Sequence, residues 1–100
     1  MKSVPSLSTK ERLILELLTA QDRMYGLQLV AASRGRIKRG TVYVTLGRME
    51  QKGYVRSRVE TQAQAEGRLP RRLYEPTPHG LRVLQAWTAV VRALEPEHAR

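Results

Sequence analysis

The sequence predicts a mainly helical α+β fold in which three short helices are followed by a β-hairpin and a longer helix. Apolar residues recur at helical spacing in three segments before Gly53 and in one segment after Thr77. Between Val55 and Val59 the period changes to two residues, which indicates a strand. Glycines and prolines separate these segments, and 100 residues suit one domain with a modest core.

The first helix is predicted to begin after Ser8 and to run to about Ala20. Ser8 and Glu11 have the Ser-x-x-Glu spacing of a capping box. One face of this helix carries four apolar residues, namely Leu13, Ile14, Leu17 and Leu18. Leu15 lies off that face, and its position indicates a second partner surface.

The next two helices are predicted to form a helix-turn-helix. The second runs from Tyr25 to Ser33, with Gly35 as its terminator. The third opens at Gly40 and closes at Gly53, the glycine that commonly follows a helix. Two short helices followed by a third with a threonine and arginine surface have the order of a helix-turn-helix.

This third helix is predicted to enter a DNA groove, and we call it the recognition helix. Three apolar residues share one line that can be buried: Val42, Leu46 and Met49. Hydroxylated and cationic residues lie on a neighbouring stripe: Thr41, Thr45, Arg48 and Lys52. Val44 and Gln51 lie roughly opposite the buried line. Such a small, cationic surface suits an anionic partner with hydrogen-bonding base edges.

A β-hairpin is predicted to follow the recognition helix. Its first strand extends from Val55 to Glu60, and its second from Arg71 to Glu75. The polar segment from Thr61 to Pro70 forms the loop between them. A hairpin in this position is a wing, and the predicted fold is therefore a winged helix-turn-helix.

The last helix is predicted to start at Pro78, with Thr77 as its N-cap, and to end near Leu94, before Pro96. Its apolar arc covers roughly half of its circumference, more than the ~100° stripe that one core requires. We therefore expect two partners, which are the domain itself and a second copy of the chain. The predicted dimer interface comprises Leu15, Val83, Leu84, Trp87, Val90, Val91 and Leu94.

These elements divide the chain into four parts. We expect a flexible arm over residues 1–7, a winged-helix DNA-binding domain over residues 8–77, a dimerisation helix over residues 78–95 and a tail over residues 96–100. The sequence contains no cysteine, no secretory signal and no apolar run of membrane-spanning length. A cytoplasmic protein without a membrane partner is therefore expected, associated with the chromosomal DNA when bound to it.

The sequence shows no constellation of catalytic residues. It contains no Ser/His/Asp arrangement, no phosphate-binding glycine loop and no metal-ligand cluster, and His79 and His98 have no partner at ligand spacing. We therefore predict that the protein is not an enzyme and needs no cofactor or metal.

Positive charge is concentrated in the middle of the chain. Residues 34–72 contain eleven lysines and arginines against three glutamates, so eight of the nine net positive charges lie there. A basic patch around a groove-sized helix is the electrostatic pattern of a nucleic-acid-binding protein. The competing interpretation is a solvated basic surface that only aids solubility.

The predicted DNA contacts come from three segments. Lys38 and Arg39, just before the recognition helix, are expected to contact phosphate. On the recognition helix we expect Thr41, Tyr43, Thr45 and Arg48 to face DNA, and on the wing Arg68, Arg71 and Arg72, with Arg68 reaching a minor groove. Three of these have structural alternatives. The Tyr43 ring can pack internally, Arg48 can pair with Glu50 or another acid, and Arg71 can anchor the wing to the body.

Three motifs occur in register along the chain. The first is Tyr25-Gly26-Leu27-Gln28-Leu29, which has the form Tyr-Gly-x-x-Leu. The second lies on the recognition helix and comprises Gly40-Thr41-Val42-Tyr43, Leu46, Arg48, Met49, Glu50 and Gly53. The third crosses the wing and comprises Pro70-Arg71-Arg72, Tyr74, Thr77 and Gly80. Together they resemble the motifs of the PadR family of bacterial winged-helix transcriptional regulators. The chain departs from the family pattern at Val44 and Pro76, where the family often has Pro and Leu, and at Gly47.

The resemblance implies a homodimer that binds a palindromic operator in double-stranded DNA and usually represses transcription. A single C-terminal helix resembles the short PadR subfamily, which dimerises through that helix. Some members respond to phenolic or other hydrophobic compounds, so Trp87 is expected either to pack the dimer core or to line an effector cavity between two copies. The alternative function is a winged-helix module that binds another protein. RNA binding is disfavoured because exposed stacking aromatic residues are scarce.

Overall fold

The computed structural model describes residues 7–95, and the predicted tail over residues 96–100 and most of the predicted arm lie outside them. Within residues 7–95, five helices and three short strands follow one another in the order α1 (Thr9–Ala20), β1 (Met24–Tyr25), α2 (Gly26–Ala32), α3 (Arg39–Gln51), β2 (Val55–Val59), α4 (Gln62–Ala65), β3 (Arg72–Pro76) and α5 (Pro78–Leu94). This is the mainly helical winged helix-turn-helix that the sequence predicts, with α3 as its recognition helix. None of the described helices is long and apolar enough to cross a membrane.

Local sequence signals set the ends of the helices. At the start of α1 the Ser8 hydroxyl accepts from the Glu11 N–H at 3.1 Å, and the Glu11 carboxylate accepts from the Ser8 N–H at 2.9 Å. The end of α3 is a Schellman motif, because the Tyr54 N–H donates to the Met49 carbonyl and Gly53 adopts a φ of +77°. Thr77 caps α5 by accepting from the Gly80 N–H. All three predicted signals are confirmed.

The wing belongs to a three-stranded antiparallel sheet with the order β1-β3-β2. Strand β1 was not predicted, because two residues are too few to show a period; it pairs Met24 with Tyr74 and joins the wing to the helical body. The wing loop also contains the short helix α4, which the sequence analysis treated as loop. Thr61 and Gln64 form a capping box at the start of α4, and Ala65, its last residue, is fully buried.

Helix α1 lies at the centre of the core and contacts α2, α3, α5 and β3. Leu15 is consequently 0% exposed within the single chain. Val83 of α5 is 3% exposed. The prediction that these two residues contribute to a dimer interface is therefore wrong, because each already packs against neighbours of its own chain.

An ion pair between a buried carboxylate and a partly exposed lysine connects the start of α1 to the end of α3. Lys52 Nζ lies 2.9 and 3.1 Å from the two carboxylate oxygens of Glu11, whose side chain is 4% exposed. The same carboxylate completes the α1 capping box, so both of its oxygens are satisfied. The helical position of Lys52 predicts that it lies on the DNA-facing stripe, but its ammonium group pairs with Glu11 of the same chain.

We predict that Lys52→Ala lowers the free energy of unfolding by about 2 kcal/mol, because the buried Glu11 carboxylate then loses its charged donor. Urea unfolding followed by circular dichroism measures the change. Lys10→Ala removes the same charge from an exposed residue in the first turn of α1 and should change the free energy of unfolding by less than about 0.5 kcal/mol. Equal effects of the two substitutions would contradict a stabilising role for the pair.

Candidate nucleic-acid interface

The buried line of α3 determines which of its residues face outward. Val42, Leu46 and Met49 are each 0% exposed, as the sequence predicts. Thr41 and Arg48 are exposed, and Thr45 is partly exposed. The two hydroxyls donate to backbone carbonyls within the helix, Thr41 to Lys38 at 3.3 Å and Thr45 to Thr41 at 3.0 Å. Each hydroxyl oxygen therefore keeps lone pairs for donors that approach from outside.

Arg48 extends from α3 without an acidic partner among residues 7–95. The nearby carboxylate of Glu50 instead accepts from the Ser57 hydroxyl at 2.7 Å. The alternative of an intramolecular Arg48–Glu50 pair is thus absent from the described structure. The Arg48 guanidinium has all its donors available to an external acceptor.

The segment before α3 is held by a residue that the sequence analysis did not identify. Ser33 is fully buried, and its hydroxyl accepts from the Ile37 N–H at 2.9 Å and donates to the Val30 carbonyl at 2.8 Å. These bonds hold the connector that leads into α3. Lys38 is the N-cap of α3 and Arg39, predicted to precede the helix, is its first residue, and both side chains are exposed. Ser33 is the last residue of the predicted second helix, and that position was the available signal.

The Tyr43 side chain both packs against its own chain and remains exposed, so it fits both interpretations that the sequence left open. Its ring covers Gly26 at the start of α2 so closely that a Cβ at Gly26 would lie 2.5 Å from ring atoms. The side chain nevertheless remains 52% exposed. The ring is therefore positioned by packing, while about half of the residue's surface stays open to a partner.

The Glu60 carboxylate holds the loop of the wing together, and we call this arrangement the wing clamp. Glu60 accepts two bonds from the Arg68 guanidinium, at 2.8 and 3.2 Å, and one from the Arg71 N–H at 2.9 Å. The hydrogen bond from Arg68 is the largest cause that lowers the pKa of Glu60, from 4.5 to about 2. Arg68 was expected to extend into a minor groove, but in this arrangement its guanidinium shapes the wing.

The other two wing arginines differ in their surroundings. The Arg71 guanidinium lies over the Tyr25 ring, 4.1 Å from its centroid, which supports the anchoring interpretation. Arg72 is exposed and donates to the Ser57 hydroxyl at 3.0 Å. The same Ser57 hydroxyl donates to Glu50, so Arg72 reaches that carboxylate only through Ser57 and forms no direct ion pair within residues 7–95. Arg72 is therefore the wing cation best placed to meet an external anion.

Two surface grooves flank α3 and make it a ridge. The first, of about 450 Å³, separates α3 from the start of α1, and we call it the α1 groove; it is lined by Ser8, Thr9, Lys10, Glu11, Thr41, Val44, Thr45 and Arg48. The second, of about 530 Å³, separates α3 from α2 and the wing, and we call it the wing groove; it is lined by Tyr25, Leu27, Gln28, Ala31, Tyr43, Pro70, Arg71 and Arg72. Each groove contains hydroxyl groups and at least two cations.

The described residues do not support a metal centre, since residues 7–95 contain no group of three or more His, Cys, Asp or Glu side chains arranged to bind a metal ion. Trp87 and Leu84 are partly buried against the core, whereas Val90 and Leu94 are 37% and 77% exposed. The predicted effector cavity and dimer contacts require a second copy of the chain and remain predictions.

Comparisons with known proteins agree with this geometry. The family profile described as "Transcriptional regulator PadR-like family" matches residues 14–86. A PadR family transcriptional regulator from Eggerthella lenta is 32% identical, with a TM-score of 0.69, over 83% of this chain and 71% of its own. The structure of smu.1704 from Streptococcus mutans is 20% identical, with a TM-score of 0.61, over 97% of this chain and 100% of its own.

A further solved structure is Bacillus subtilis PadR in complex with operator DNA. It is 17% identical, with a TM-score of 0.70, over 93% of this chain, which spans 51% of the length of that protein. At this identity the likeness shows the fold alone. No curated protein matches the chain.

We predict that the wing clamp titrates far below the usual range for a glutamate. A lowered pKa means that the stabilising contact is complete above pH 4.5 and is lost as the pH falls towards 2. NMR shifts of the Arg71 amide and the Arg68 guanidinium report the titration. Glu60→Gln should abolish it, whereas Glu66→Gln, at an exposed residue of the same loop, should leave it in place. A midpoint near 4.5 would contradict the clamp.

Proposed function

From the premise that the chain belongs to the PadR-like family of transcriptional regulators, we propose that it binds a specific double-stranded DNA sequence through α3 and the wing. Recognition would place α3 in the major groove, which is wide enough to admit one helix. The wing would then lie along the adjacent backbone. The Bacillus subtilis relative, solved with operator DNA, supports this arrangement by analogy of fold.

The observation that carries the proposal is the ridge formed by α3 between the α1 groove and the wing groove. A major groove is bordered on each side by a sugar-phosphate strand, so an inserted helix needs a recess on each flank to receive one strand. The α1 groove offers Lys10 and Arg48, and the wing groove offers Arg71, Arg72 and the Tyr43 ring. The cations in both recesses match the chemistry of phosphate.

A homodimer would extend recognition to a palindromic site. The C-terminal half of α5 exposes Val90 and Leu94 on the side that Trp87 and Val91 also occupy, and pairing two copies there would remove apolar surface from water. Two copies related by a two-fold axis would meet two half-sites in opposite orientations. Binding such an operator would hinder transcription, so we assign the protein as a repressor.

The proposal also includes regulation by a small hydrophobic or aromatic compound. Trp87 offers a flat indole beside the apolar surface of α5, and a cavity between two copies would use it as a wall. The cytoplasmic and nucleoid-associated location inferred from the sequence likewise remains a prediction.

The DNA-binding proposal predicts that single cation removals weaken binding in a salt-dependent way. Arg48→Ala and Arg72→Ala should each reduce the affinity for a duplex selected from random-sequence DNA, and should reduce the slope of log affinity against log salt by about 1. Fluorescence anisotropy at several salt concentrations measures both quantities.

Arg92→Ala provides the matched control, because it removes one charge from an exposed position near the end of α5. It should leave affinity and slope unchanged. Failure to select any preferred duplex, or three variants with equal slopes, would overturn the proposal and favour a module that binds another protein.

The dimer proposal predicts that Leu94→Asp yields a monomer. A carboxylate in the exposed apolar patch would have to be desolvated when two copies pair, whereas the single chain keeps it in water. Light scattering measures the mass, and circular dichroism verifies the helical content. Ala89→Asp introduces the same charge on the opposite side of α5 and should remain dimeric. A monomeric unsubstituted chain at micromolar concentration would refute the dimer.

A further inference from the structure

The outermost line of α3 carries an unusual set of residues. It lies opposite the buried line of Val42, Leu46 and Met49, and it comprises Gly40, Val44, Gly47 and Gln51, at positions i, i+4, i+7 and i+11. Val44 is 58% exposed. It is therefore an isolated branched apolar side chain with a glycine at each neighbouring position of the line.

Neither glycine has an internal reason to be a glycine. A Cβ built at Gly40 or at Gly47 meets no heavy atom within 4 Å, and neither residue has a positive φ. Gly47 within the helix costs about 1 kcal/mol relative to alanine. Both gaps therefore leave open space on the side of α3 that faces away from the protein, where only an external surface can use it.

Val44 also lacks an internal role. It lies on the rim of the α1 groove, beside Thr41 and Arg48, and its side chain does not belong to the core cluster. Its neighbours on the outer surface are polar or lack a side chain, so Val44 does not form part of an extended apolar patch for another protein. A single exposed apolar side chain on a cationic helix surface is complementary to an anionic partner that presents a single apolar group.

The floor of the DNA major groove presents one such group, the C5-methyl of thymine. We propose that Val44 is a specificity-determining residue that contacts a thymine methyl, and that the glycines before and after it let the α3 backbone approach the base edges. This inference rests on the proposed function, because it requires α3 to enter the major groove. It gives Val44 a chemical role distinct from the phosphate contacts of the surrounding cations.

The test combines a protein truncation with removal of one methyl from the DNA. A duplex selected from random-sequence DNA is prepared with each thymine replaced in turn by deoxyuridine, which lacks only the methyl group. At one thymine of each half-site the unsubstituted protein should lose about fourfold in affinity, the value of one buried methyl group. Val44→Ala should bind the thymine duplex more weakly than the unsubstituted protein by about the same factor. Replacing that thymine with deoxyuridine should not lower the affinity of Val44→Ala further.

Val59→Ala is the matched control, because Val59 is a valine of similar exposure (49%) on the wing. It should retain the full sensitivity to deoxyuridine. If deoxyuridine lowered the affinity of the unsubstituted protein and of Val44→Ala by the same factor at every thymine, the Val44 inference would be overturned. The proposed function would remain intact. Failure to select a preferred duplex would instead remove the proposed function on which the inference rests.

Gly47→Ala tests the approach of the backbone separately. It should raise the urea midpoint of the free protein, because alanine is the better helix former and the added methyl meets open space. It should lower the affinity for the selected duplex, because in the complex the added methyl would hold the α3 backbone away from the base edges. An increase in both stability and affinity would contradict close approach.

Discussion

The burial of Val42, Leu46 and Met49 is the constraint on which the proposed DNA-binding surface of α3 depends. Three side chains at 0% exposure fix the rotation of α3 about its axis, since a turn in either direction would bring apolar groups into water and polar groups into the core. The outward positions of Thr41, Val44 and Arg48 follow from that fixed rotation. A specific DNA surface requires such rigidity, because a helix free to rotate would present several alternative sets of side chains.

The wing obtains comparable rigidity from charge and hydrogen bonding. Glu60 holds Arg68 and the Arg71 backbone, while the Arg71 guanidinium covers the Tyr25 ring and so attaches the hairpin to the body. A loop already ordered in the free protein loses less conformational entropy when it binds. Two of the three wing arginines therefore organise the interface, and Arg72 is left with the more exposed charge.

Local patterns predicted the helical skeleton and most of the exposed surface of α3. The α1 capping box, the glycine at position 53 and the buried line depend on residues a few positions apart, so a single sequence displays them. The errors concern contacts between distant segments. Leu15 seemed available because its periodicity says nothing of how many elements surround α1, and Lys52 seemed available because its partner, Glu11, is 41 residues away. The Glu60 clamp likewise needs the folded loop to bring its donors together.

The joint between α3 and α5 links the two surfaces that a dimeric regulator would need. Thr77 donates to the carbonyls of Gly53 and Tyr54, and a Cβ at Gly80 would overlap the Tyr54 carbonyl, so the start of α5 lies directly on the end of the recognition helix. Such close backbone packing transmits displacement rather than absorbing it. If two copies pair through α5, the crossing angle of that pair therefore sets the spacing of the two recognition helices. A ligand that altered the pairing would change DNA affinity without touching the DNA surface.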